Sequence, residues 1–293
     1  MTSSSKTIKP LTWLITGCSS GFGLQIARHA LAAGHEVIAT SRVPSKNPDL
    51  VQEIEAAGAR WLSLDVNSTK SANVIIDLEE RGTHIDVLVN SAGIGLAGPV
   101  EAFSEEEIRG LLETNFFGPY RLMRAIIPYM RARRRGTIVN LSSGSGLEAR
   151  ESLGAYGASK AALDNITKTL AREVAEFNVR VLLVYMGAFN TPMSTQVSLV
   201  REPLAADYRN TVLEKYYNVF KEKNMVVKGD HKKAVKAIYE VVVGEGVGAG
   251  LESEVQIALG KDCAVRVEEV RQRLSHMMEV CGEICHNVDV DAD

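Results

Sequence analysis

The chain has 293 residues, 45% of them apolar and 24% charged, which excludes wholesale disorder, a coiled coil and a collagen-like repeat. Its 33 basic and 36 acidic residues leave a net charge of −3, so no global field draws it toward nucleic acid or an acidic membrane. The length suits one large α/β domain or two small ones.

In chain order, residues 11–16 read as a buried strand, followed by a glycine-rich turn and a helical pattern over 22–33 that stops at Gly34. Further strands are expected at 36–40, 61–64, 87–90, 137–141, 179–185 and 254–259, with amphipathic stretches at 104–135 and 156–177 between them. Strands separated by helices of this length imply right-handed crossovers. The expectation is one doubly wound α/β domain with a seven-stranded parallel sheet covered on both faces. Two regions break the rhythm. Residues 190–230 form a long insertion carrying Met193, Tyr208, Tyr216, Tyr217, Phe220 and Met225, expected to be a substrate-binding lid. Residues 287–293 read as a frayed acidic tail.

Residues 1–10 form a polar lead without the apolar core of a signal peptide, and no run of eighteen apolar residues occurs. The cysteines are Cys18, Cys263, Cys281 and Cys285, a sparse usage that suits free thiols in a reducing compartment. A cytoplasmic protein is expected. Cys281-x3-Cys285-His286 lacks a second ligand cluster, so no metal is expected. The basic run Arg131, Arg133, Arg134 and Arg135 ends a predicted helix and complements its dipole. It lacks the wide basic face and stacking aromatics of a nucleic-acid site.

The chemistry concentrates in a few motifs. Thr16-Gly17-Cys18-Ser19-Ser20-Gly21-Phe22-Gly23 joins the first strand to the first helix. Bare amides at a helix N-terminus are what a dinucleotide pyrophosphate needs. The second strand ends in Thr40-Ser41-Arg42 rather than an acid, which favours a 2′-phosphate and hence NADP, because a guanidinium can clamp phosphate. Tyr156 and Lys160, at i and i+4, share a helix face. A cation beside the phenol is expected to lower its pKa from the ordinary value of about 10. Ser143, thirteen positions earlier, can donate to a substrate carbonyl, and Asn115 stands mid-helix, where asparagine is a poor helix former.

The spacing Thr-Gly-x3-Gly-x-Gly and the ordered set Asn115, Ser143, Tyr156 and Lys160 resemble the short-chain dehydrogenase/reductase family, in its classical NADP-preferring branch, over residues 11–193. The resemblance implies a Rossmann fold and an NADPH-dependent reductase that converts a ketone or aldehyde to an alcohol, reversibly. It implies that Tyr156 acts as acid/base and that Lys160 tunes it and holds the nicotinamide ribose. Ser143 would polarise the carbonyl, and Asn115 would bend its helix and complete a proton relay. Asp65, in Leu64-Asp65-Val66, stands where the family binds adenine. Asn90-Ser91-Ala92-Gly93 matches the family's Asn-Asn-Ala-Gly except at Ser91. Gly187 and Thr191 match its nicotinamide-side loop, in which Met186 replaces a proline. A homodimer or homotetramer through the helices at 104–135 and 156–177 is also implied. The lid composition suggests a bulky lipophilic carbonyl or alcohol as substrate. Two rival functions stay open: a catalytically silent dinucleotide sensor, and a non-redox biosynthetic step on the same fold.

Overall fold

Strand after strand in this chain alternates side chains between two apolar layers, and that alternation builds the sheet. In the computed structural model, which describes residues 9–194, 196–288 and 290, β1 (Thr12–Ile15) sends Trp13 and Ile15 to one layer and Leu14 to the other. The same period of two recurs in β4 (Val87–Asn90), β6 (Gly136–Ser143) and β7 (Val179–Met186). With β2 (Glu36–Ser41), β3 (Arg60–Ser63) and β9 (Gln256–Leu259) they form one parallel seven-stranded sheet. Its order is β3-β2-β1-β4-β6-β7-β9.

One face is covered by α1 (Gly21–Ala32), α2 (Pro48–Ala56) and α8 (His231–Val243). The other is covered by α3 (Asn73–Glu80), α5 (Gly118–Ala132) and α6 (Gly154–Val174). The domain is therefore doubly wound and Rossmann-like, and all seven expected strands belong to the one sheet. The order reverses between β1 and β4, and in open α/β sheets the crevice beyond the carboxyl ends at that point takes ligands.

The expected long helix at 104–135 is interrupted. It begins as α4 (Glu105–Leu112), opened by a capping box between Ser104 and Glu107, passes through a π-helical turn over Glu113–Phe117 and resumes as α5. The basic run that follows does more than complement a dipole. Arg133 donates to both carboxylate oxygens of buried Glu79 at 2.9 Å, and Arg135 pairs with Asp86 at 2.6 Å.

Two elements were not legible in the sequence. β5 (Leu96–Ala97) and β8 (Ser198–Leu199) form a separate two-stranded parallel pair, too short to show a period. It fastens the start of the 190–230 segment beside the loop after β4. That segment then carries α7 (Val212–Lys221) and closes at a bridge between Phe189 and Gly229. α9 (Lys261–His286) follows β9, and most of its side chains after the first turn and a half are exposed. No helix among the described residues is long and apolar enough to cross a membrane. Of the expected lead and tail, residues 1–8, 289 and 291–293 lie outside the described residues.

Candidate active site

The glycine-rich turn is built so that backbone can pack on backbone. Gly17 has φ +72°, and a Cβ there would come within 2.9 Å of the Ala92 Cα, so the loops after β1 and β4 touch. The Thr16 hydroxyl binds them together, accepting from the amides of Ser91 and Ala92 at 3.0 and 3.1 Å. Ser20 stands at the N-cap of α1 but makes no side-chain cap bond, and no acidic residue occupies the first turn. Gly21, at φ +61°, has nothing within 4 Å of where a Cβ would stand. An uncapped helix N-terminus with an open face and exposed Ser19 and Ser20 fits a diphosphate group. Phe22 packs edge-on against Phe189 of the loop after β7, at 5.4 Å between centroids.

The remaining cofactor candidates divide. Arg42 is exposed and forms no ion pair among the described residues, with its own carbonyl accepting from Ser63. Ser41 turns inward instead and accepts from the Trp61 indole at 3.1 Å. Asp65 closes a turn on the Asn67 amide, and Val66 is buried. Asn90 belongs to the sheet interior: it donates to Asn140 at 2.7 Å, and Asn140 donates to Thr167 at 2.8 Å. Gly187 donates from its amide to Leu259 at 2.8 Å. Met186, in place of the proline, continues β7 by one paired residue, opposite Ser143 and Leu259.

Four catalytic candidates converge at the carboxyl end of β6. The Tyr156 phenol hydrogen-bonds Ser143, whose hydroxyl also accepts from the Ser145 amide at 3.1 Å. One helical turn on, Lys160 is buried and donates from Nζ to the Leu141 carbonyl at 2.9 Å. Asn115 lies in the π-helical turn, fully buried. Its carboxamide clamps Ile94 through both backbone groups, at 2.9 and 3.0 Å, and donates to Ser159 at 3.0 Å. Gly93 completes the cradle: a Cβ there would stand 3.3 Å from Asn115 Oδ1 and 3.8 Å from Lys160 Nζ. The wide turn is thus the means by which α4 and α5 deliver Asn115 to the β4 loop.

The electrostatics correct one expectation. Lys160 does not bring the phenol down. Burial raises the Tyr156 pKa above 10.0; the Ser143 hydrogen bond opposes the rise, the Asp164 carboxylate adds to it and Arg266 opposes it. Burial also pushes Lys160 down to about 8, against the pull of Asp164. Asp164 itself is pushed up to about 6 by burial, opposed first by its hydrogen bond from Ser142 and then by Lys160 and Lys168. Asp164 was not among the sequence candidates. Its spacing of i+4 from Lys160, on the face shared with Tyr156, was the signal available. Ser142, the neighbour of Ser143 in β6, is its hydrogen-bond donor.

The family model described as short chain dehydrogenase matches residues 12–201. The chain belongs to that family. The match takes in both loops of the cradle and the four catalytic candidates, and it leaves out α7, α8, β9 and α9. Oxidoreductase claN of Passalora fulva is 45% identical over 181 residues, covering 61% of this chain and 83% of the relative. The 3-ketodihydrosphingosine reductase of Bacteroides thetaiotaomicron is 41% identical over 186 residues, 63% of this chain and 66% of its own length. Among solved structures, a short-chain dehydrogenase from Streptomyces avermitilis superposes with a TM-score of 0.84 at 33% identity, covering 96% of this chain and 100% of that one. Membership makes this chain an oxidoreductase of the short-chain dehydrogenase type.

The buried lysine has a measurable consequence. Its folded pKa of about 8 lies below its ordinary 10.5, so the fold disfavours the ammonium. The resulting destabilisation is present below about pH 8 and is lost as pH rises toward 10.5. Each pKa unit corresponds to about 1.36 kcal/mol, and the Leu141 carbonyl loses a donor in a variant. Lys160→Met is therefore expected to be about 1–3 kcal/mol more stable than wild type at pH 7, the gap shrinking by pH 10. Urea midpoints at the two pH values check this; a pH-independent difference contradicts it.

Proposed function

We propose that this short-chain dehydrogenase is an NADPH-preferring carbonyl reductase, reversible as an alcohol dehydrogenase, acting on a bulky lipophilic substrate. The convergence of the Tyr156 phenol, the Ser143 hydroxyl and the Lys160 ammonium beside Gly93 carries this reading. When bound, a nicotinamide dinucleotide supplies the hydride, and the protein supplies orientation and electrostatics. The first turn of α1, with Ser19, Ser20 and Gly21, would hold the diphosphate. Gly93, Lys160, Gly187 and Thr191 would hold the nicotinamide side.

In the reductive direction Tyr156 gives its proton to the carbonyl oxygen while Ser143 donates a hydrogen bond to the same oxygen. A phenol whose pKa is raised stays protonated at neutral pH and is ready to donate. The opposite direction needs phenolate, so alcohol oxidation is favoured at alkaline pH. Lys160, fixed on Leu141, keeps a cation beside the reacting oxygen, and Asn115 keeps the β4 loop in place. A sensor has no use for this proton donor, which is why the reductase reading is preferred over it; a non-redox step is told apart by product mass, because reduction adds two hydrogens.

Arg42 supports NADPH over NADH: it is exposed, unpaired among the described residues, and follows a strand end without an acidic side chain. The lid supports an apolar substrate less evenly than its composition suggested. Tyr217 is buried in packing, Tyr216 lies under Arg150, and Met193 comes within 3.9 Å of a Cβ placed at Gly93. A relative named for reducing a keto-lipid, at 41% identity, favours the same substrate class. Assembly through α4–α5 and α6, as a homodimer or homotetramer, fits the exposed Phe117 beside Phe116.

Two variants test the reading. Tyr156→Phe is expected to lower kcat for ketone reduction by about 10²-fold or more while cofactor affinity stays within about twofold. Normal turnover in this variant contradicts the proposal. Arg42→Ala is expected to weaken NADPH binding about ten- to a hundredfold, since hydrogen bonds to charged groups contribute roughly 1.5–3 kcal/mol. NADH binding should be left alone. Equal effects on both nucleotides overturn the assignment of Arg42.

A further inference from the structure

Two loops frame the reaction site from the far side: the one after β6, which begins at Gly144, and the one after β7, which begins at Gly187. Both are held by the first two turns of α9, a helix outside the residues that match the family. Asp262 accepts from the Ala188 amide through Oδ2 at 2.8 Å. Its carboxylate also lies against Gly187 so closely that a Cβ at that glycine would overlap it. One turn on, Arg266 is 9% exposed and reaches Asp262 at 3.5 Å, Ser145 at 3.4 Å and half-buried Glu148 at 3.2 Å. A Cβ at Gly144 would stand 2.7 Å from the Arg266 side chain. Between them, Cys263 is fully buried and donates to the Tyr185 carbonyl.

These contacts have one shape in common. The helix start is wedged between the two loop beginnings, and glycines at 144 and 187 leave the room. Backbone amides in a loop otherwise pair with water or sample several arrangements. Here the amide after Gly187 is tied to a carboxylate that is itself braced by a guanidinium.

We propose that Asp262 is a positioning residue for the loop after β7, with Arg266 as its brace against the loop after β6, so that α9 completes the reaction site. This rests on the reading that residues 187–191 border the nicotinamide. A plainer role is also available to Asp262: an acid in a first helical turn offsets the helix dipole. The two roles demand different chemistry. Dipole compensation needs the charge and tolerates an extra methylene; clamping Ala188 needs an acceptor at that length, charged or not.

The experiment uses the full chain with Asp262→Asn, Asp262→Glu and Asp262→Ala. Amide hydrogen exchange over residues 186–191 is measured without nucleotide, and NADPH affinity is measured by nucleotide fluorescence. Asp262→Asn is expected to keep both within about threefold of wild type. Asp262→Glu and Asp262→Ala are expected to speed exchange in this stretch at least tenfold and weaken NADPH at least fivefold. The reverse order, with Glu like wild type and Asn impaired, overturns the proposal, as does wild-type exchange in folded Asp262→Ala. Should Asp262→Ala fail to fold, the comparison of Asn with Glu decides alone. Loss of protection with unchanged NADPH affinity overturns the role at the nicotinamide side. A wild type that binds no NADPH overturns the proposed function instead, while the exchange arm still decides whether Asp262 holds the loop.

Discussion

The site depends on one docking: the start of α6 against the carboxyl end of β6. Tyr156, Lys160 and Asp164 lie at i, i+4 and i+8 on one face of that helix, and each meets a different residue of the strand end. The phenol meets Ser143, the ammonium meets the Leu141 carbonyl, and the carboxyl meets Ser142. A lysine so deeply placed has few alternatives. Its aliphatic stem is packed and its head is fixed by one carbonyl, so its charge stands where the polypeptide puts it. The helix cannot rotate without breaking all three contacts together.

Such an arrangement costs stability and concentrates polarity. The interior beneath the site also contains the Asn90–Asn140–Thr167 chain and the Asn115–Ser159 pair, while both apolar layers of the sheet are otherwise closely filled. Buried polar groups with partners rigidify a core. Asn90 ends β4 with Asn140 paired to it in β6, and Asn115 and Ser159 stand beside the β4 loop, where a cofactor and a substrate would need fixed donors. Burial also explains why the phenol is not made more acidic by the protein itself. The groups that oppose the rise are Ser143 and Arg266, and the second comes from the far end of the chain.

Much of this could be read from the chain. Short apolar, β-branched runs between helical patterns placed every strand of the main sheet, and the glycine turn with Tyr156 and Lys160 marked two corners of the candidate site. Asn115, an unsuitable residue inside a helical pattern, falls in the π-helical turn that interrupts the expected helix. What could not be read was whatever depends on contacts between distant segments. Ser41 carries a hydroxyl at the right strand end, but only the fold shows the Trp61 indole occupying it. Ser142 and Ser143 are identical neighbours in sequence; strand alternation sends one to Asp164 and the other to Tyr156. β5 and β8 are two residues each and pair across a hundred positions. Asp262 and Arg266 follow a strand by the length of one turn and look like ordinary surface charges until α9 is docked. The charge effect expected of Lys160 on the phenol failed for a related reason, since desolvation is a property of the packed site and not of helical spacing.

Hydride transfer can be followed atom by atom. NADPH carrying deuterium in both C4 positions is to be mixed with the wild-type protein and a lipophilic aryl ketone, and the alcohol analysed by mass and NMR. One deuterium at the carbinol carbon, with an equal amount of NADP formed, is the expected result. A product without deuterium there, or unconsumed NADPH across a broad panel of carbonyls under conditions where the nucleotide binds, would contradict a reductase built around Tyr156.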